Sequence, residues 1–190
     1  MSRIVFLLEG LLPRLVPGLI PGETFLCVAH DGKSDLERSV PRKLRAWREP
    51  GVRFVVVRDN DGGDCLRLKG ALQASCRQAG RADTLVRIVC QELEAWYFGE
   101  PEALAEAFER RDLTRLSRQA RYQDPDALSR PAQLLAELVP EFQKIAGARR
   151  LAHRLTRERN RSSSFRVFVD GVARLAQAMA LTHAVPDSGD

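Results

Sequence analysis

Val52-Arg53-Phe54-Val55-Val56-Val57-Arg58-Asp59-Asn60-Asp61-Gly62-Gly63-Asp64 is the stretch from which the fold is read. An apolar, β-branched run stops abruptly at three carboxylates and two glycines. Such a run predicts a strand buried on both faces, as parallel sheets require. Acids crowded at its end repel one another unless a cation or a proton sits among them. The pattern therefore predicts a hard-metal site, although the same residues also suit an Asp/Asn/Gly turn, and Asp64 also suits a helix cap.

Working outward, similar apolar runs predict strands over residues 3–8, 24–29 and 85–90, beside the one over 52–58. Helical spacing predicts helices over 35–49 and 64–79, with Pro50 and Gly80 closing them. Alternating strands and helices imply parallel pairing through crossovers. The first crossover, residues 10–23, carries Pro13, Pro17 and Pro21, so at most a short helix is expected there. Beyond Glu92 the pattern turns helical. Pro101 and Pro131 open helices over 103–108 and 132–139, while 111–126 reads as an Arg-rich loop. Residues 165–169 are the last strand candidate, yet Ser162-Ser163-Ser164 also suits the cap of a final helix to about residue 181, and residues 186–190 are expected to fray. The reading is an α/β core over 1–100 and a helical, Arg-rich region over 101–190 packed on it.

At 190 residues the chain suits one domain with a small appendage, and 44% apolar residues suffice for its core. The net charge of +5 is almost all Arg, which weights the partner towards polyanions, against a background of compositional bias. Cys27, Cys65, Cys76 and Cys90 form no C-x-x-C pair, which disfavours zinc. The apolar run at 4–8 is too short for a signal peptide, and no stretch approaches the ~20 apolar residues of a membrane span. A reduced, cytoplasmic protein without membrane partners is expected. An oligomer of identical chains stays open.

In a parallel sheet, ligands bind at the carboxyl ends of the strands. The four expected strands end at Glu9-Gly10, His30-Asp31-Gly32-Lys33, Asp59-Asn60-Asp61 and Gln91-Glu92-Leu93-Glu94, so acids would converge on one rim. Mg²⁺, with Mn²⁺ as the alternative, suits carboxylate oxygens and one phosphate. Glu9, beside a flexible glycine, would act as acid or base or hold a second metal, and paired metals recur in phosphodiester cleavage. Lys33 would reach a phosphate. Between Lys144 and Arg161, Arg150, Arg154 and Arg157 recur at helical spacing and with Arg149 form the expected nucleic-acid contact, the alternatives being a solvated face or one that docks an acidic partner.

Glu9-Gly10 followed by Asp59-x-Asp61 resembles the Toprim domain of topoisomerases, primases and overcoming-lysogeny-defect nucleases. More narrowly, several stretches resemble the bacterial family known as domain of unknown function 4276. They are His30-x-Gly32-Lys33-x-x-Leu36, Arg58-Asp59-x-Asp61, Glu92-Leu93-Glu94-Ala95-Trp96, Phe142-Gln143-Lys144 before Gly147-Ala148-Arg149, and Asn160-Arg161-Ser162 before Ser164-Phe165. The resemblance implies a mostly parallel, four-stranded Toprim-like sheet flanked by helices. It also implies Mg²⁺-dependent nuclease activity in an anti-phage system beside an ATPase of the ABC or AAA type. By carry-over, Glu9, Asp59 and Asp61 would be catalytic, and all three with Glu94 would hold metal. In such families Glu-Gly leads into a small, polar run and a full helix, whereas here Gly10 meets Leu11-Leu12-Pro13. That departure supports an alternative, a catalytically degenerate subunit that binds an ATPase or nucleic acid without cleaving it. A third reading is a phosphatase of small phosphomonoesters, since acid clusters at strand ends serve phosphoryl transfer generally.

Overall fold

Ile4, Leu8, Leu11 and Leu15 recur at three- and four-residue intervals, and Leu7 and Leu12 widen the same apolar stripe. Residues 4–8 alone are compatible with strand or helix, but continuation of the stripe past Gly10 sets the helical period. The computed structural model, which describes residues 2–183, has α1 at Arg3–Leu15, burying Val5, Leu7, Leu8, Leu11 and Leu12. The expected first strand is thus a helix, and Pro13 sits within its last turn.

After α1 come α2 (Lys33–Ala46), β1 (Val55–Asp59), α3 (Cys65–Gln78), β2 (Leu85–Val89) and α4 (Glu94–Phe98). Then follow α5 (Pro101–Ala107), three 3₁₀ segments between 111 and 127, α6 (Pro131–Leu138), α7 (Lys144–Ala152) and α8 (Ser163–His183). Residues 165–169 lie inside α8, and residues 186–190 lie outside the described residues. Local signals for the later helices act as expected. Asp64 accepts from the Leu66 and Arg67 amides at the start of α3, and the Ser162 hydroxyl accepts from the Phe165 amide at the start of α8.

Segment 24–29 forms no strand. Its Phe25 and Cys27 pack on the core while Leu26 and Val28 remain 68% and 48% exposed. A lone bridge joins Phe25 to Pro21, inside a turn where the Thr24 and Phe25 amides both donate to the Ile20 carbonyl. With residues 3–8 wound into α1, this segment has no neighbouring strand with which to exchange hydrogen bonds. The sheet among the described residues consists of β1 and β2 alone, parallel, with Val55 opposite Leu85 and Asp59 opposite Val89. Over the described residues the protein is α/β, but helix makes up 57% and the four-stranded Toprim-like sheet is not formed.

The two strands divide two layers. Val56 and Val86 face Val40, Leu44, Leu72 and Cys76 of α2 and α3. Val57, Leu85 and Val89 face a larger cluster that runs from α1 to α8 around Trp96. Trp96 stacks on Phe168 at 5.1 Å between ring centres and meets Phe165 edge-on at 5.3 Å, while its indole N–H donates to the Ser164 hydroxyl. Burying large apolar side chains of this kind contributes about 1.5–3 kcal/mol each. That core holds α4 rigidly at the end of β2. Gly10, expected to loosen the chain beside Glu9, serves close packing instead: a Cβ there would meet the Ala152 Cβ at 2.8 Å, where α1 crosses α7.

Candidate functional site

Because β1 and β2 are parallel, their carboxyl ends share one edge. Asn60 binds the two exits together. Its amide donates to the Val89 carbonyl at 3.0 Å, and its side-chain oxygen accepts from the Gln91 amide. Its side-chain nitrogen donates to the Gly63 carbonyl at 2.6 Å and contacts the Cys65 sulfur at 3.0 Å. One residue on, the Asp61 amide donates to the Gln91 carbonyl at 2.9 Å. Asp61 and Gln91 are both left-handed, at φ 46° and 63°, a conformation that for non-glycine residues costs on the order of 1–3 kcal/mol. Both line a cavity of about 260 Å³ with Gly62, Glu92, Ser129 and Arg130, and Arg130 too is left-handed at φ 50°. Three strained residues from separate loops thus meet at one cavity.

Beneath this rim lies the principal electrostatic feature. The Arg3 guanidinium lies 3.1 Å from an Asp59 oxygen and 3.4 Å from a Glu94 oxygen. Glu94 is fully buried, and neither of its carboxylate oxygens has a hydrogen-bond partner; the buried Tyr97 hydroxyl has none either. Burial pushes the Asp59 carboxyl up to about 6, against the pull of Arg3 and with added repulsion from Glu94 and Asp61. Burial also raises Glu94, again against Arg3. For Arg3 burial disfavours the charge, but the fields of Glu94 and Asp59 outweigh it and keep the guanidinium charged. The sequence gives no motif for Arg3; the helical period of α1, which sets its first residue over the sheet edge, is the signal that would have found it.

The other expected residues fall elsewhere. Glu9 lies on α1 near Cys27, whose thiol is pushed up to about 11 by burial and then by the Glu9 charge. Asp61 pairs with Lys33 at 2.5 Å, which closes β1's exit onto the start of α2. The Glu92 carboxylate accepts from the Ala132 amide and so caps α6. The arginines around α7 are engaged within the protein. Arg149 stacks 4.0 Å from the Phe6 ring, and Arg150 lies over Phe108 and donates to the Ala107 carbonyl. Arg154 faces Glu106 at 3.8 Å, and Arg157 forms a two-pronged pair with Asp170 at 2.8 Å.

Among the described residues no group of three or more His, Cys, Asp or Glu side chains is arranged to hold a metal ion. Asp59 and Glu94 nevertheless form an all-oxygen pair, and Mg²⁺ commonly takes one or two carboxylates and completes its shell with water and substrate phosphate. Neither oxygen of Glu94 has a hydrogen-bond partner, and Arg3 is ion-paired with one of them at 3.4 Å, so the other is open to that demand. No described helix is long and apolar enough to cross a membrane.

No curated protein matches this chain, and no solved structure does. Residues 13–173, which include both strands, Asp59, Asn60, Glu94 and the first half of α8, match the family described as a domain of unknown function (DUF4276), and the chain belongs to that family.

Proposed function

We propose that the carboxyl edge of the β1–β2 pair hydrolyses phosphodiester bonds of DNA or RNA, with Asp59 and Glu94 holding a Mg²⁺ or Mn²⁺ ion. The observation that carries this reading is Glu94, a buried carboxylate whose two oxygens lack hydrogen-bond partners, facing Asp59 across Arg3. Two carboxylates are costly to bury with one guanidinium between them, and a divalent ion would supply the remaining compensation. A bound divalent ion would polarise a phosphate and lower the pKa of an attacking water. Arg3 balances the acids and presents guanidinium donors suited to a phosphate oxygen. Lys33, half-exposed and paired with the cavity-lining Asp61, supplies a second positive group. The Asp59-x-Asp61 strand end resembles Toprim nucleases, and the relationship is proposed for that segment alone. Asp59→Asn and Glu94→Gln are each expected to lower Mg²⁺-dependent cleavage of plasmid DNA or tRNA by at least 10²-fold; cleavage at the wild-type rate in both variants refutes the assignment.

A second reading has its own support. Arg3 already supplies a positive charge to the Asp59–Glu94 pair, and Glu9 sits by Cys27. A chain so arranged suits a subunit that binds an ATPase or nucleic acid without cutting, as in a defence assembly. Wild-type protein that shows no Mg²⁺ binding by calorimetry and no cleavage, yet co-elutes with an ATPase, selects it.

A further inference from the structure

The segment 110–130 holds six arginines against three aspartates. Its first part, Arg111–Arg118, is a 3₁₀ helix. Three residues per turn put every third side chain in one row, about 6 Å apart. Leu113 and Leu116 form the buried row. Asp112, Arg115 and Arg118 form an exposed row, and Arg111 is exposed beside it. Arg110 grips the acid in that row, Asp112, with two contacts of 2.8 Å, and Arg115 meets it only through its more distant charge. Arg115 and Arg118 have no hydrogen bond or ion pair to any described residue, unlike the arginines of α7. Arg121 follows three residues later and lies 5.7 Å from the Tyr122 ring centre.

The chain that leaves this ridge is fastened to the strand exits. Arg161 donates to the Tyr122 carbonyl and the Gln123 side chain. Asp126 accepts from the Ser162 hydroxyl and the Ser164 amide, each at 2.7 Å. The Ser164 hydroxyl in turn receives the Cys90 amide at the end of β2. The same loop ends at Arg130, on the wall of the cavity that Asp61 and Gln91 line.

We propose that Arg115 and Arg118, flanked by Arg111 and Arg121, bind the phosphate backbone of a nucleic acid whose path continues to the cavity at Arg130. Two exposed guanidinium groups one 3₁₀ turn apart, with no hydrogen bond or ion pair to a described residue, suit successive phosphates, and they read no base sequence. The proposal takes its class of partner from the phosphodiester reading, but binding is measured without a divalent ion, so the two fail separately.

The test uses the full chain in EDTA and fluorescence anisotropy with labelled single-stranded DNA, duplex DNA and RNA. The doubly reversed variant Arg115→Glu/Arg118→Glu is expected to bind at least tenfold more weakly. On the duplex, its slope of log K against log[salt] should fall by about 2, at roughly 0.9 per lost phosphate contact. Arg115→Gln/Arg118→Gln should lie between, which separates lost attraction from added repulsion. Arg154→Gln, on the engaged face, should keep the wild-type slope. Asp59→Asn should lose cleavage and keep this binding, while the ridge variants should still hydrolyse a small phosphodiester such as bis(p-nitrophenyl) phosphate. Wild-type protein that binds none of the three probes overturns the proposal. So does a doubly reversed variant with wild-type affinity and slope, or an Arg154→Gln variant that loses as much as the ridge pair.

Discussion

Replacing Asp59 by Asn tests the electrostatics of the strand exit directly. Asp59 stands 23% exposed beside Arg3, and its carboxyl is pushed up to about 6 from 3.8, first by burial. A raised acid pKa means that the folded state holds a proton the unfolded chain has released. Stability from this group is therefore fully present below the unfolded value and lost as pH rises through the folded one. A shift of about two units corresponds to roughly 3 kcal/mol in all, the attraction of Arg3 already included. Between about pH 4.5 and pH 8 roughly 2 kcal/mol of it is lost. Asn carries no charge and loses nothing over that window. The stability of Asp59→Asn minus that of wild type should therefore rise by roughly 2 kcal/mol from about pH 4.5 to pH 8, or about 4–8 °C in Tm for a chain of this size. Taking the difference of differences cancels any packing cost of the amide. Urea unfolding in EDTA at the two pH values measures it. A difference that is flat, or that shrinks towards alkaline pH, refutes the picture of a buried and under-compensated carboxylate. Adding Mg²⁺ at pH 8 should then stabilise wild type and leave the variant unmoved, because a ligand stabilises only the state that binds it.

Asn60→Ala removes the side chain that ties the exits of β1 and β2 and leaves the Gln91 amide unpaired. Urea unfolding should show a loss of roughly 2–3 kcal/mol, and less than about 0.5 kcal/mol would mean the tie is incidental. Gly10→Ala forces a Cβ towards Ala152 at 2.8 Å in the crossing of α1 and α7. It should cost about 1–3 kcal/mol, measured by thermal melting, and a stabilised variant would argue for a looser α1.

Much of this architecture was legible in advance, and its failures share a cause. The run before Asp59 is long, β-branched and ends at turn residues, so β1 and the crossover helix α3 capped by Asp64 follow from local chemistry. Prolines at 101 and 131 place α5 and α6 for the same reason. Residues 3–8 lack that redundancy. Five apolar residues in a row fit either period, and the glutamate and glycine that follow read as a strand end only if the strand is assumed. Extending the window to Leu15 reverses the choice, and every functional inference hung on it changes. Glu9 moves to the side of Cys27, Gly10 turns from a source of freedom into a point of close approach, and Arg3 comes to the acid pair. The acids at 59, 61 and 94 were visible as residue types, but which of them met depended on backbone turns. Strand geometry carried past Asp59 would set Asp61 on the same side, whereas the left-handed turn at Asp61 brings it to Lys33 and leaves Asp59 with Glu94 and Arg3. The arginines show the same dependence on partners. The arginines on and after α7 are dense in sequence, yet Phe6, Phe108, Glu106 and Asp170 engage them. The segment read as an irregular loop instead aligns, by 3₁₀ periodicity, two exposed arginines with no hydrogen bond or ion pair to a described residue. Charge density in sequence therefore marks where cations are made, and the folded neighbours decide which of them remain free to meet a phosphate.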